Sequence, residues 1–315
     1  MNERNKNILL FKGIAIFSVV FAHCHNNISM SLVEEILNQI TINIGTIGVP
    51  IFFVCSGYLF HKKPFLLFWQ KKVPMIEAWI FTGSLVWGYE VVRKGLDYAN
   101  YVEWLLGIGT YLWYMPTLFL IWFIFELINE KYLIHATCVF LFIYISVIEI
   151  LEVKKFDVPF LRNVICFIPF FAIGYLIQKK KDILRKIIEK CSIWVPLIIL
   201  VGGIVYNQNK LIYGCRMFLL IALSIIFLIY RVFNSLKKDG KLSRGLMQLG
   251  ENSYAIYLLH MPLAGAATNI FSRFSISRML VLFYPIAVCL TVNYFCELAK
   301  KRIRYKWILR LVGIV

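Results

Sequence analysis

The sequence predicts an all-α integral membrane protein, a bundle of about ten spanning helices with both termini on the cytoplasmic side. Three observations lead there. Of 315 residues 60% are hydrophobic and only 16% charged, with a mean hydropathy of +0.73, a balance that ordinary soluble domains do not show. The apolar residues fall into continuous runs long enough to cross a hydrocarbon core of about 30 Å. The Lys and Arg residues behind the net charge of +17 sit in short clusters between those runs, where they act as topology anchors, so nucleic acid is not implied as a partner.

The predicted segments run approximately Ile8 to Cys24, Gly45 to Phe60, Met75 to Val92, Tyr111 to Ile128, Leu133 to Leu151, Phe160 to Ile177, Ile193 to Tyr206, Ile212 to Tyr230, Ser253 to Phe271 and Met279 to Ala299. Runs this continuous read as helices, because barrel strands alternate in pieces of about ten residues. The seventh is the shortest. If the N-terminus lies inside, most of the 34 Lys and Arg fall in the cytoplasmic set: the N-terminal tail, the loop with Lys62, Lys63, Lys71 and Lys72, the turn with Lys131, the Lys179–Lys190 and Arg231–Arg244 loops and the C-terminal tail.

No internal repeat or soluble module interrupts the chain, which reads as a single transmembrane domain over residues 1–315. Its end, residues 299–315, mixes basic residues with Trp307, Ile308, Leu309 and Leu311 and predicts an interfacial amphipathic helix. The first apolar run carries Lys12 and His23 and no small-residue cleavage site follows it, so a retained helix is expected rather than a removable leader. The eight cysteines lack Cys-x-x-Cys spacing and read as small buried hydrophobes, and no spacing of His, Cys or carboxylates suggests a metal.

Ionisable groups at membrane depth are functional candidates. Lys12 and His23 are eleven residues apart, so on a helix they share a face about 16 Å apart along the axis, with Ile16 and Val19 between them. An imidazole there suits a general base, and it equally suits a helix end among headgroups. Lys12 suits a phosphate, or a snorkelling side chain. In the second segment Gly48, Phe52 and Ser56 recur every four residues, and the glycines there read first as places of close helix approach. In the ninth, Ser253, Tyr257 and His260 form one polar stripe, and Pro262 cannot donate to the carbonyl of Leu258, leaving an acceptor free beside His260. Trp113 and Tyr114 read as interfacial belt residues or as a sugar-stacking platform.

These segments carry a family likeness. Leu10–His23, Val49–Tyr58, Leu112–Leu118, Phe170–Tyr175 and Gly250–His260, in that order, resemble the signatures of the integral-membrane acyltransferase-3 family over essentially the whole chain. The resemblance implies that His23 matches the family's essential His, the catalytic candidate. Lys12 stands where many members have Arg, and Lys71 and Lys72 stand where many carry an Arg-x-x-Arg pair; all three become donor-binding candidates. Ser56, Tyr257 and His260 would line the cavity, with Trp113 and Tyr114 on the acceptor side. The implied activity is O-acyl transfer, with cytoplasmic acetyl-CoA as donor substrate, a hydroxyl of a cell-surface polysaccharide or lipid-linked sugar as acceptor, and a bacterial inner membrane as location. A succinyl-transferring relative, a transporter of glycans or small solutes and a non-catalytic membrane subunit are the competing expectations.

Overall fold

The computed structural model describes residues 3–23, 45–94, 100–153, 159–206, 216–235, 240–273 and 284–314, and among them every regular element is a helix. The helices are α1 (Glu3–Ala22), α2 (Gly48–Tyr58), α3 (Phe65–Gln70), α4 (Val73–Lys94), α5 (Tyr101–Leu106), α6 (Tyr114–Leu127), α7 (Leu133–Val153) and α8 (Pro159–Lys179). They continue with α9 (Lys181–Lys190), α10 (Trp194–Tyr206), α11 (Arg216–Ser235), α12 (Lys241–Glu251), α13 (Ser253–Arg273), α14 (Tyr284–Arg302) and α15 (Lys306–Leu311), and short 3-10 turns precede α6 and α7. Each apolar segment expected from the sequence contains a helix. The sequence reading passed over α3, α5, α9 and α12, which are short or polar. Cys24, Cys215 and the opening of the tenth segment at 279–283 lie outside the described residues.

Two helical stretches among the described residues, Glu130–Val147 and Leu161–Lys179, are long and apolar enough to cross a membrane. Large apolar side chains also point outward, among them Phe142 at 70% and Ile198 at 69% exposure.

Two blocks build the core. In one, α2, α6, α7, α8 and α11 pack around Phe53, Phe60, Phe125, Phe167, Phe171 and Tyr175. Here α2 and α8 touch backbone to backbone. A Cβ on Gly57 would run into the Phe171 carbonyl oxygen, and one on Gly174 into that of Val54, so the close-approach reading of Gly57 holds. In the other block α4, α5, α12, α13 and α14 pack around Trp104, Leu112, Met115, Ile256 and Leu258. Helix α1 contributes to both, with Ala15 and Val19 in the first and Ile16 and Val20 in the second.

The chain end, expected to be an amphipathic helix, forms the short helix α15. Residues beyond α14 turn back so that Leu309, Val312 and Ile314 pack on the second block, while Trp307 stays exposed. Thr82 Oγ1 donates to the Leu311 carbonyl at 3.4 Å, and Gly313, at φ +77, sits against Tyr254 and Leu258. Part of the apolar surface of this segment thus meets protein. The cysteines divide too: Cys55, Cys166, Cys289 and Cys296 are buried as expected, whereas Cys138 is exposed and Cys191 partly so.

Candidate active site

Between the two core blocks lies a cavity of about 480 Å³. Its walls include every residue singled out from the sequence: Lys12, Lys71 and Lys72; Ser56; Trp113 and Tyr114; His23, Tyr257 and His260. Helix geometry explains the first of these. Lys12, Val19 and His23 all face the cavity, as the eleven-residue spacing requires, and the rise of α1 separates the two ionisable groups by about 16 Å. One end of the cavity is therefore lined by lysines and the other by imidazoles.

At the lysine end Lys12, Lys63, Lys71 and Lys72 converge with His61. Lys72 occupies the turn between α3 and α4, its Nζ 3.9 Å from the centre of the Trp122 ring and 5.2 Å from that of Phe68. Burial, reinforced by the positive charges of Lys12 and Lys63, lowers its pKa to about 8, against a smaller opposing pull from Glu126. Glu126, one turn beyond Trp122 on α6, is buried and accepts a hydrogen bond from the Lys63 backbone N–H. Lys62 donates to the Ile128 carbonyl at the end of α6, which ties the loop carrying Lys63 to that helix. Gln178 Nε2 approaches His61 Nε2 at 3.0 Å and secures the rim from α8.

At the other end the rings of His23 and His260 lie 5.2 Å apart, tilted by 47°. His23, just past the last turn of α1, is exposed, whereas His260 is only 1% exposed. The His260 Nδ1 is 2.6 Å from the Tyr257 carbonyl oxygen, and its ring meets Tyr111 edge-on at 5.3 Å. Between the two ends Tyr114 and Ser56 share a side-chain hydrogen bond, and Tyr114 is boxed by the rings of Phe52, Phe53 and Tyr257. Trp113 stacks one face on Phe167 at 5.2 Å, so only part of its ring surface is left for a ligand.

The structure corrects one sequence argument. The Leu258 carbonyl that Pro262 leaves without its helical donor is not free, because the Tyr111 hydroxyl donates to it at 2.8 Å. In return Tyr257 donates to the Tyr111 carbonyl at 3.1 Å. This reciprocal pair locks α13 to the 3-10 turn that carries Trp113, so Tyr111 is a site residue that the sequence reading missed. Asn252 immediately precedes α13. Its Nδ2 donates to Asn293 Oδ1 at 2.7 Å and to Glu297 Oε1 at 3.0 Å, fixing the base of the polar stripe against α14. Ser253, Tyr257 and His260 then face the cavity together.

Among the described residues no group of three or more His, Cys, Asp or Glu is placed to hold a metal ion. What the cavity offers is a cationic end for an anionic ligand, hydroxyls midway and two imidazoles at the far end. The sequence model of the acyltransferase-3 family, described as an acyltransferase domain, matches residues 5–293. The chain belongs to that family, whose members are typically membrane-embedded. Neither a curated protein nor a solved structure matches the chain.

Proposed function

We propose that this acyltransferase is a multi-pass O-acetyltransferase, one domain of about ten spans with both termini in the cytoplasm of a bacterial cell. It carries an acetyl group from cytoplasmic acetyl-CoA to a hydroxyl of a cell-surface polysaccharide or lipid-linked sugar. The observation that carries this reading is the single cavity joining the lysine end to the imidazole end. A donor with several phosphates and a long neutral arm needs cations at the mouth and a narrow passage to the reacting centre. Lys12, Lys71 and Lys72 supply the first, and the passage past Phe52, Ser56 and Tyr114 supplies the second.

In this mechanism His23, accessible at the far end, removes the proton of the acceptor hydroxyl as its oxygen attacks the thioester carbon. Trp113 and Tyr114 hold the acceptor. The Ser56 and Tyr114 hydroxyls, which share a hydrogen bond on that passage, supply donors for the thioester carbonyl.

Purified protein in liposomes, given radiolabelled acetyl-CoA and a glycan fraction of the native envelope, tests this reading. Label is expected on glycan with the unmutated protein, falling about 10²- to 10⁴-fold with His23→Ala at equal abundance. Equal transfer by both proteins would remove His23 as the base. Absence of transfer from any acyl-CoA, together with glycan flux across the liposome, would favour transport instead.

A further inference from the structure

Acyl transfer from a thioester to a hydroxyl forms a carbon–oxygen bond, breaks a carbon–sulfur bond and moves one proton from oxygen to the departing thiolate. The mechanism above gives His23 the first half of that proton's journey and leaves the second half without a carrier. His260 has the features of that carrier. Its Nδ1 faces the Tyr257 carbonyl, which has only lone pairs to offer, so Nδ1 carries the hydrogen and the lone pair of the neutral ring lies on Nε2. Nε2 is buried and, among the described residues, has no hydrogen-bond partner. A packed structural histidine normally satisfies both nitrogens.

The surroundings hold this ring in place. Tyr111 meets it edge-on at 5.3 Å, and Tyr111 is itself fixed to the Leu258 carbonyl on the same helix. The Tyr257 ring lies tilted beside that of His260 at 6.1 Å and the His23 ring at 5.2 Å, and both imidazoles line the cavity. The order along the cavity matters: His23 is exposed at the end where an acceptor enters, and His260 is buried beside it. An acceptor reaches His23 first, and a donor arm arriving from the lysine end brings its sulfur to the enclosed imidazole.

Resting on the O-acyl reading, we propose that His260 is a second catalytic residue, which returns the proton to sulfur. His23 takes the hydroxyl proton and becomes an imidazolium. It passes a proton to Nε2 of His260, whose Nδ1–H stays on the Tyr257 carbonyl and steadies the positive ring. Nε2–H then protonates the leaving thiolate. Both rings end neutral, and one proton has moved from oxygen to sulfur.

The test uses two donors with the full-length protein: acetyl-CoA, whose alkyl thiolate is a basic leaving group, and S-nitrophenyl thioacetate, whose weakly basic aryl thiolate leaves without needing a proton. The variants are His260→Gln and His260→Asn. Neither carries a proton at neutral pH, and the Asn amide keeps a donor on the Tyr257 carbonyl. With acetyl-CoA, kcat is expected to fall by about 10²-fold or more while the donor KM holds within about twofold. With the aryl thioester, both variants are expected to stay within about threefold of the unmutated protein. Equal losses on the two donors, in variants of normal abundance and melting temperature, would make His260 a packing residue and overturn the proposal. His23→Ala is expected to lose activity on both donors. If it loses neither, the base assignment falls while the leaving-group contrast of His260 still decides the present claim. An unmutated protein that transfers acetyl from neither thioester would overturn the O-acyl reading and this proposal together.

Discussion

The two ends of the cavity are built on opposite principles. At the lysine end several cations on flexible stems line the wall, and Lys72 is held over the rings of Trp122 and Phe68 rather than by a fixed ion pair. At the imidazole end, hydrogen bonds to backbone carbonyls fix His260 on Tyr257 and Tyr111 on Leu258, with the two rings edge-on. Adaptable charge suits recognition of a polyanion, which needs attraction more than angle. Fixed lone pairs suit proton transfer, which needs both distance and angle. The difference teaches where each kind of substitution should register: binding at one end, turnover at the other.

The largest effect is expected at the imidazole end, where loss of the His23 or His260 ring should lower kcat as described above. The lysine end should answer in affinity. Since Lys72 has its pKa lowered to about 8, it is a cation below that pH and neutral above it. Donor binding is therefore expected to weaken as pH rises through about 8 and to level off once Lys72 is neutral, read as a rising donor KM. Lys72→Arg, charged throughout, should flatten that rise. Breaking the reciprocal lock has a stability signature. Tyr111→Phe strands the Leu258 carbonyl and should cost about 1–3 kcal/mol in thermal unfolding in detergent. Adding Pro262→Ala, which restores a backbone N–H to that carbonyl, should recover part of the loss. The smallest effect belongs to the exposed pair of Lys179 and Glu130, 2.7 Å apart. Lys179→Ala should change stability by less than about 1 kcal/mol.

Much of this site was legible in the sequence because helical spacing is a short-range code. The positions of Lys12 and His23, or of Ser253, Tyr257 and His260, select one face of one helix, and the apolar residues around them make each polar group conspicuous. What stayed hidden depends on distant partners. Tyr111 reads as one more interfacial aromatic until its hydroxyl is seen on a carbonyl 147 residues away. Trp122 and Phe68 are indistinguishable from core aromatics without Lys72 beside them, and His61 and Lys63 gain meaning only from the turn that brings them to the rim. The same limit applies to the chain end. An amphipathic pattern reports that Leu309 and its neighbours need an apolar surface, not whether lipid or α4 and α13 provide it.

The central claim is that one cavity receives two different substrates from its two ends. Steady-state kinetics of Lys72→Ala, with acetyl-CoA and the glycan acceptor varied separately, tests it most directly. The account predicts a donor KM raised about tenfold, with the acceptor KM and kcat nearly unchanged. An acceptor KM that rises with the donor KM, or a donor KM that does not move, would contradict the division of the cavity into a donor end and an acceptor end.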